Sequence, residues 1–195
     1  WSSGVPGSVA GFGLAHERYG LLSWEKLLQS SIHLSEYGYK LDLINWWNLN
    51  SPYYSNYLSR DIEAKKIFTK DEGYLVGSFF NLGELFIQKD LAYTLRRIST
   101  NGYQEFYTGI TANMIQDCMD RTGGIITKED LRRYRPIERE PIEFNYRGYN
   151  FYSMPPASSG GICLAEILNQ LETLNFDSTG YHSTEHMQPF VEAER

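Results

Sequence analysis

The chain has 195 residues and a mass of 22.5 kDa, which suits one domain or part of a larger one. Apolar residues make up 42% and aromatics 15%, enough to build a core, so disorder is excluded; 17 Gly and 7 Pro without a period exclude a collagen-like chain. The net charge of −6 does not suit a general nucleic-acid binder, and no uncharged apolar run approaches the ~20 residues of a membrane span.

In chain order, Val5-Pro6-Gly7-Ser8 is a turn into small residues, which predicts a tightly packed first helix ending at Tyr19-Gly20, with Gly20 just beyond its last turn. Ser23 is the expected N-cap of a second helix, with Lys26 where a capping box would want Glu. Leu27, Leu28, Ser31, Ile32 and Leu34 form its stripe, which stops at Tyr37-Gly38. A helix over Leu41 to Leu49 carries Trp46 and Trp47 and breaks at Ser51-Pro52. Ser59 to Gly73, ending Asp71-Glu72-Gly73, reads as short helical pieces and a loop.

Asp90 to Asn101 is a firm helix with Leu91, Thr94, Leu95 and Ile98 on one face, stopped by Asn101-Gly102. Gly109 to Thr122 is another, with Ile110, Met114, Ile115 and Cys118 expected inward and Gly123-Gly124 closing it. Thr127 caps a short helix, with Asp130 in the reciprocal position. The period then changes. Pro141 to Tyr146 and Tyr149 to Met154 are aromatic-rich runs around Arg147-Gly148, the pattern of a β-hairpin. Pro155 to Gly161 opens a long helix with Ile162, Leu164, Ile167, Leu168 and Leu171 inward. A last helix starts near Ser183-Thr184, contains Pro189 and is still running at Arg195. With no initiator Met and no signal-peptide pattern at Trp1-Ser2-Ser3-Gly4, the expectation is a processed chain or an excised piece.

Few constellations carry chemistry. His182-Ser183-Thr184-Glu185-His186 matches the H-x-x-E-H metal pattern in letters. Both His must share a helix face for that chemistry, and with Ser183 or Thr184 as N-cap His182 falls before the helix, so no metal ligand is assigned. Ser158-Ser159-Gly160-Gly161 is a candidate anion-binding loop, because glycines bare backbone N–H groups at a helix N-terminus. The alternative is a capped helix start after a proline turn. Neither G-x-x-x-x-G-K-[ST] nor G-x-S-x-G is present, Gly7 and Gly11 fail G-x-G-x-x-G, and no cofactor is implied. Cys118 and Cys163 form no zinc or disulfide pattern and read as buried thiols. Lys128 with Arg132, Arg133 and Arg135 beside Glu129 and Asp130 reads as a solvated helix face. His16 and His33 read as satisfied helix residues, and no nucleophile–base set stands out.

The run Gly4-Val5-Pro6-Gly7-Ser8-Val9-Ala10-Gly11 resembles the gamma-glutamyltranspeptidase family. The likeness continues in order through Tyr19-Gly20, Glu36-Tyr37-Gly38-Tyr39, Gly83-Glu84-Leu85 and Asp90-Leu91-Ala92-Tyr93. It goes on through Phe106-Tyr107-Thr108-Gly109, Gly123-Gly124-Ile125-Ile126-Thr127 and Tyr146-Arg147-Gly148-Tyr149. Ser153-Met154-Pro155-Pro156, Ser158-Ser159-Gly160-Gly161, Leu168-Asn169 and His186 with Glu192-Ala193 complete it. Glu84 stands where the family often has Asp, and Ala157 where a third Pro is common.

The resemblance implies an α/β (α+β) fold: a mostly helical fragment with a β-hairpin near 141–154, 1–195 being a single segment of the αββα sandwich of an N-terminal-nucleophile hydrolase. It implies a large-subunit piece, inactive alone, of an enzyme that cuts itself. The new N-terminal Thr of the small subunit attacks a γ-glutamyl amide such as glutathione, and water or an amino acid then takes the acyl group. That Thr, the large-subunit Arg that binds the substrate carboxylate and the small-subunit pocket residues lie outside this sequence in the family order, so no catalytic or substrate-binding residue is carried over. The implied partners are the rest of the large subunit and the small subunit; self-association of the isolated chain is expected, especially along the Tyr149–Met154 edge. An extracytoplasmic location is implied. The other reading is a non-catalytic homologue or interaction module of the same fold, separated from the first by the gene on either side of this segment.

Overall fold

The computed structural model describes residues 4–58, 60–70, 80–176 and 178–195. The chain is mostly helical, with two small antiparallel sheets among the described residues. It divides into two compact units, Trp1–Pro136 and Ile137–Arg195.

The first unit begins with α1 (Ser8–Tyr19) and α2 (Trp24–Tyr37). Strand β1 (Tyr39–Lys40), α3 (Leu43–Asn50), α4 (Pro52–Leu58) and α5 (Ile62–Phe68) follow. Then come β2 (Leu85–Phe86), α6 (Lys89–Asn101), α7 (Glu105–Thr108), α8 (Ile110–Thr122) and α9 (Lys128–Arg133). Asp71-Glu72-Gly73, the expected end of the polar stretch, lies outside the described residues.

Helix starts follow local chemistry where the sequence supplies a cap. Ser23 accepts from the Lys26 N–H, Asp42 from the Asn45 N–H, and Asp61 from those of Glu63 and Ala64. Thr127 and Asp130 form the reciprocal capping box, the Asp130 N–H donating to Thr127 Oγ1 at 3.1 Å and the Thr127 N–H to Asp130 Oδ2 at 2.9 Å. These bonds hold the Asp130 carboxyl below its ordinary range. Gly123, at φ 70°, closes α8 in the left-handed conformation. Gly20 does not do the same for α1. Its φ of −68° and ψ of 128° are extended, and it is small for room instead: a Cβ there would lie 2.5 Å from the His16 carbonyl.

Two small cores form among the described residues of this unit. Ala10, Tyr107, Ala112, Ile126 and Leu131 pack together under α1, α8 and α9. Leu41, Phe80 and Phe86 form the other, beside the β1–β2 pair. Trp46 of α3 reaches that second core and donates its indole N–H to the Phe80 carbonyl at 2.7 Å. Helices α2 and α6 pack side by side, and Trp24 Nε1 donates to the Ile98 carbonyl at 3.0 Å. Glu36 of α2 pairs with Arg96 of α6.

Three expected faces hold only in part. Ile115 of α8 and Thr94, Leu95 and Ile98 of α6 lie on the packed side as expected, but other members of the faces do not. In α8 the buried pair is Thr111 and Ala112, while Ile110 and Met114 are 60% and 53% exposed, because the helix turns its smallest side chains toward α7 and the core. In α6, Ala92 and Ile98 are buried and Leu91 faces out. In α2 no residue is fully buried: Leu28 and Ile32 pack inward, and Leu27 and Leu34 stay half exposed.

The second unit holds β3 (Ile142–Tyr146), β4 (Tyr149–Ser153), α10 (Gly160–Leu171) and α11 (Thr184–Glu194). The hairpin pairs Ile142 with Ser153 through Tyr146 with Tyr149. Both turn residues have positive φ, 49° at Arg147 and 82° at Gly148, the requirement of a type I′ turn. Phe144 and Phe151 stack across the strands at 5.2 Å. The turn is tied to the end of α10: the Arg147 N–H donates to Glu172 Oε1 at 3.1 Å and its guanidinium to the Leu174 carbonyl at 2.7 Å. In α10, Gly161 and Leu171 are the buried residues, whereas Ile162 and Leu164 are largely exposed. Cys163 is exposed and Cys118 half-buried, so the expectation of two buried thiols fails at Cys163, on the outer face of α10.

Candidate functional site

Ser158-Ser159-Gly160-Gly161 forms the turn into α10. The Ser158 N–H donates to the Pro155 carbonyl at 3.1 Å, and Ser158 Oγ accepts from the Gly160 N–H at 3.3 Å. Ser159 is the N-cap residue, in helical conformation and without a side-chain cap bond. Ser158, Ser159 and Gly160 are exposed, but Gly161 is buried against the hairpin: a Cβ there would sit 2.3 Å from the Met154 carbonyl. The four residues therefore split between local capping and close packing. Gly161 is glycine because helix and strand approach too closely for any side chain.

The two histidines of the H-x-x-E-H pattern are turned to different partners. Ser183 caps α11 by accepting from the His186 N–H, which leaves His182 before the helix, at φ 61° and stacked on Tyr181. His186 Nδ1 lies 3.0 Å from Thr179 Oγ1, among Phe176 and Phe190. Among the described residues no group of three or more His, Cys, Asp and Glu converges. His16 donates from Nε2 to the Leu22 carbonyl at 2.8 Å, and His33 lies against Tyr37. Arg132 and Arg133 both pair with Glu129 on the exposed face of α9.

Sequence reasoning passed over the side chains that organise the first unit. Tyr107 is 6% exposed, and its burial pushes the phenol above its ordinary range. Its hydroxyl accepts from the Ala10 N–H at 3.0 Å and donates to the Pro6 carbonyl at 2.7 Å. Tyr134 stacks on Tyr107 at 5.5 Å, and its hydroxyl closes on Gly7, where a Cβ would lie 2.1 Å away. Glu105 is 7% exposed and accepts from both the Thr111 N–H (3.0 Å) and the Thr111 hydroxyl (2.7 Å), so a side chain of α7 caps α8. Arg97 Nε lies 3.4 Å from Glu105 Oε1. One signal was available in the sequence: α1 and α8 both begin after glycine, which has no side chain to accept a capping bond, so their first N–H groups need acceptors from elsewhere. Glu84 accepts from the Asn81 N–H at 2.8 Å and pairs with Lys70, which together hold its carboxyl below the usual range.

Comparison with known proteins sets these elements in a family. The family model for gamma-glutamyltranspeptidase matches residues 1–195. The glutathione hydrolase proenzyme of Escherichia coli (strain K12) is 41% identical over 194 residues, covering 100% of this chain and 32% of that protein. The crystal structure of Helicobacter pylori gamma-glutamyltranspeptidase superposes with a TM-score of 0.90 at 38% identity, covering 99% of this chain and 54% of that one. The Bacillus anthracis transpeptidase enzyme CapD superposes at 0.78 with 33% identity, covering 98% and 63%. The fold of this chain is thus shared with solved transpeptidases over nearly all of its length. The chain belongs to the gamma-glutamyltranspeptidase family. It spans about a third of the length of the curated relatives it matches.

Proposed function

We propose that this chain is one segment of the large subunit of a self-cleaving enzyme that transfers γ-glutamyl groups. The observation that carries the reading is the unbroken family match along residues 1–195, supported by the superposition over 99% of the chain. The reaction is amide cleavage in two displacements. A threonine at the N-terminus of the small subunit attacks the γ-glutamyl carbonyl, and its own α-amine takes the hydroxyl proton. The C–N bond breaks, the protonated amine leaves, and an acyl-enzyme ester remains. Water or the amine of an acceptor amino acid or peptide then takes the acyl group. Donors are glutathione-type amides, no cofactor takes part, and the enzyme works outside the cytoplasm. Among the described residues no helix is long and apolar enough to cross a membrane.

In this reading the chain supplies scaffold within the αββα sandwich, the partners being the remainder of the large subunit and the small subunit. No catalytic residue is assigned to it, and the Ser158–Gly161 turn is read as structural. Alone, it is inactive and self-associates through apolar surface such as Tyr149, Tyr152 and Met154, all well exposed.

Hydrolysis of a γ-glutamyl anilide tests the assignment. The 195-residue chain should be silent, and the same chain extended by its native flanking sequence should release the aniline. Turnover by the chain alone would overturn the reading. A flanking sequence without a Thr, Ser or Cys cleavage site would overturn it too, and would make the protein a non-catalytic homologue. Light scattering that finds a monomer without affinity for hydrophobic dyes would remove the self-association.

A further inference from the structure

Helices α1, α2 and α6 enclose a cleft of about 570 Å³. Leu28, Leu95 and Ile98 form its floor, Phe12 and Tyr19 rise from α1 seven residues apart, and Leu27 and Ser31 rise from α2 four apart. Phe12, Tyr19 and Leu27 are each about half exposed or more. The volume lies within the roughly 300–1,000 Å³ of small-molecule pockets, but such pockets gather a few convergent polar groups. Here the one imidazole in the lining, His16, is already committed to the Leu22 carbonyl at 2.8 Å. The cleft thus offers apolar walls and little to orient a polar ligand.

The walls also restrict the form of a polypeptide occupant. All three are helices, whose backbone N–H and C=O groups are spent within themselves, so the cleft has no strand edge to pair with. An extended segment laid there would bury unsatisfied backbone groups; a helix satisfies its own. Phe12 with His16 and Ala15 with Tyr19 on α1, and Leu27 with Ser31 on α2, are i, i+4 rows, ridges of the kind that interlock with another helix. The structures that superpose on 98–99% of this chain carry further polypeptide, since the chain covers only 54% and 63% of them.

We infer that the α1–α2–α6 cleft seats an apolar helix face from the polypeptide by which those proteins exceed this chain. The inference rests on the reading of this chain as part of a longer protein and names the surface through which that protein closes over it. Leu27 then lies beneath the docked helix, while Gln29, exposed and two residues on, stays on the outer face of the same helix.

Cysteine footprinting tests the inference. In a background with Cys118 and Cys163 replaced by Ser, Leu27→Cys and Gln29→Cys are labelled with a maleimide, first in the 195-residue chain and then in the chain extended by its native flanking sequence. Labelling of Leu27→Cys should slow at least about tenfold on extension, because reaction then requires local opening, while Gln29→Cys keeps its rate. Equal rates for Leu27→Cys in the two proteins would overturn the inference. So would slowing that grows with concentration in the short chain and is absent from the extended one, which would assign the cleft to a second copy. Hydrolysis of a γ-glutamyl anilide by the extended protein is read in parallel. A silent protein with Leu27 protected sinks the proposed activity and leaves the cleft assignment standing; an active one with Leu27 unprotected does the reverse.

Discussion

Tyr107 caps a helix that begins a hundred residues earlier. Its hydroxyl accepts from the Ala10 N–H at 3.0 Å, the bond that an N-cap side chain would ordinarily accept, and donates to the Pro6 carbonyl at 2.7 Å. Gly7, at the N-cap position, has no side chain to offer, and Tyr134 occupies the space a Cβ would need. Three residues from distant parts of the chain therefore fix the entry of α1.

Replacing Tyr107 by Phe keeps the ring and its stacking on Tyr134 but leaves the buried Ala10 N–H without its acceptor and the Pro6 carbonyl without its donor. The expected loss is about 1–3 kcal/mol. Urea unfolding reads it as a lower midpoint at unchanged slope. A midpoint equal to that of the parent chain would show that water replaces the hydroxyl.

Glu105 offers a graded test. Glu105→Ala removes both acceptors for Thr111 and leaves Arg97 facing no charge, a change worth about 3–5 kcal/mol where an ion pair is buried. Glu105→Gln keeps an oxygen for the Thr111 N–H and should lose less. Thermal melts by circular dichroism should rank the parent above Gln and Gln above Ala. Equal melts for Gln and Ala would mean that the charge alone matters.

Gly161→Ala should unsettle the second unit. The new methyl would meet the Met154 backbone at 2.3 Å, and backbone cannot step aside as a side-chain end can. Overpacking of this kind costs about 1–3 kcal/mol. Faster amide exchange over residues 142–153 is the readout, with α2 as the control. Gly160→Ala, which meets nothing closer than Ser158 Oγ at 3.5 Å, should leave those rates alone.

Glu129 gives a pH signature. The Arg132 guanidinium, with Arg133, holds its carboxyl down to about 2. A folded-state value below the ordinary 4.5 contributes stability that is present above about pH 4.5 and is lost as pH falls toward 2. The group is on the surface, so the contribution is small and screened by salt. A carboxyl-carbon titration at low salt should place the midpoint well under 4, and Arg132→Gln should raise it. A midpoint that ignores Arg132→Gln would break the assignment.

Several features could be read from the residues alone because their causes are local. Ser23, Asp42, Asp61 and Thr127 cap from within three residues, and Arg147-Gly148 bends the hairpin through its own φ preferences. The order of weak motifs likewise indicated the family. The direction each helix faces could not be read in the same way. Ile110 and Met114 look inward on an isolated wheel, but α8 turns Thr111 and Ala112 to the core because Glu105 holds its first turn there. Gly7 reads in the sequence as part of a close approach, Gly20 as a helix stop and Gly161 as a bared N–H; in the fold each is a point of contact, against Tyr134, His16 and Met154. Contacts between residues a hundred positions apart depend on how whole elements pack, and composition and period do not encode that packing. Caps and turns made within a few residues were thus settled by the sequence, whereas the tertiary structure decided the caps of α1 and α8 and which side chains meet, because burial depends on neighbours that local spacing does not name.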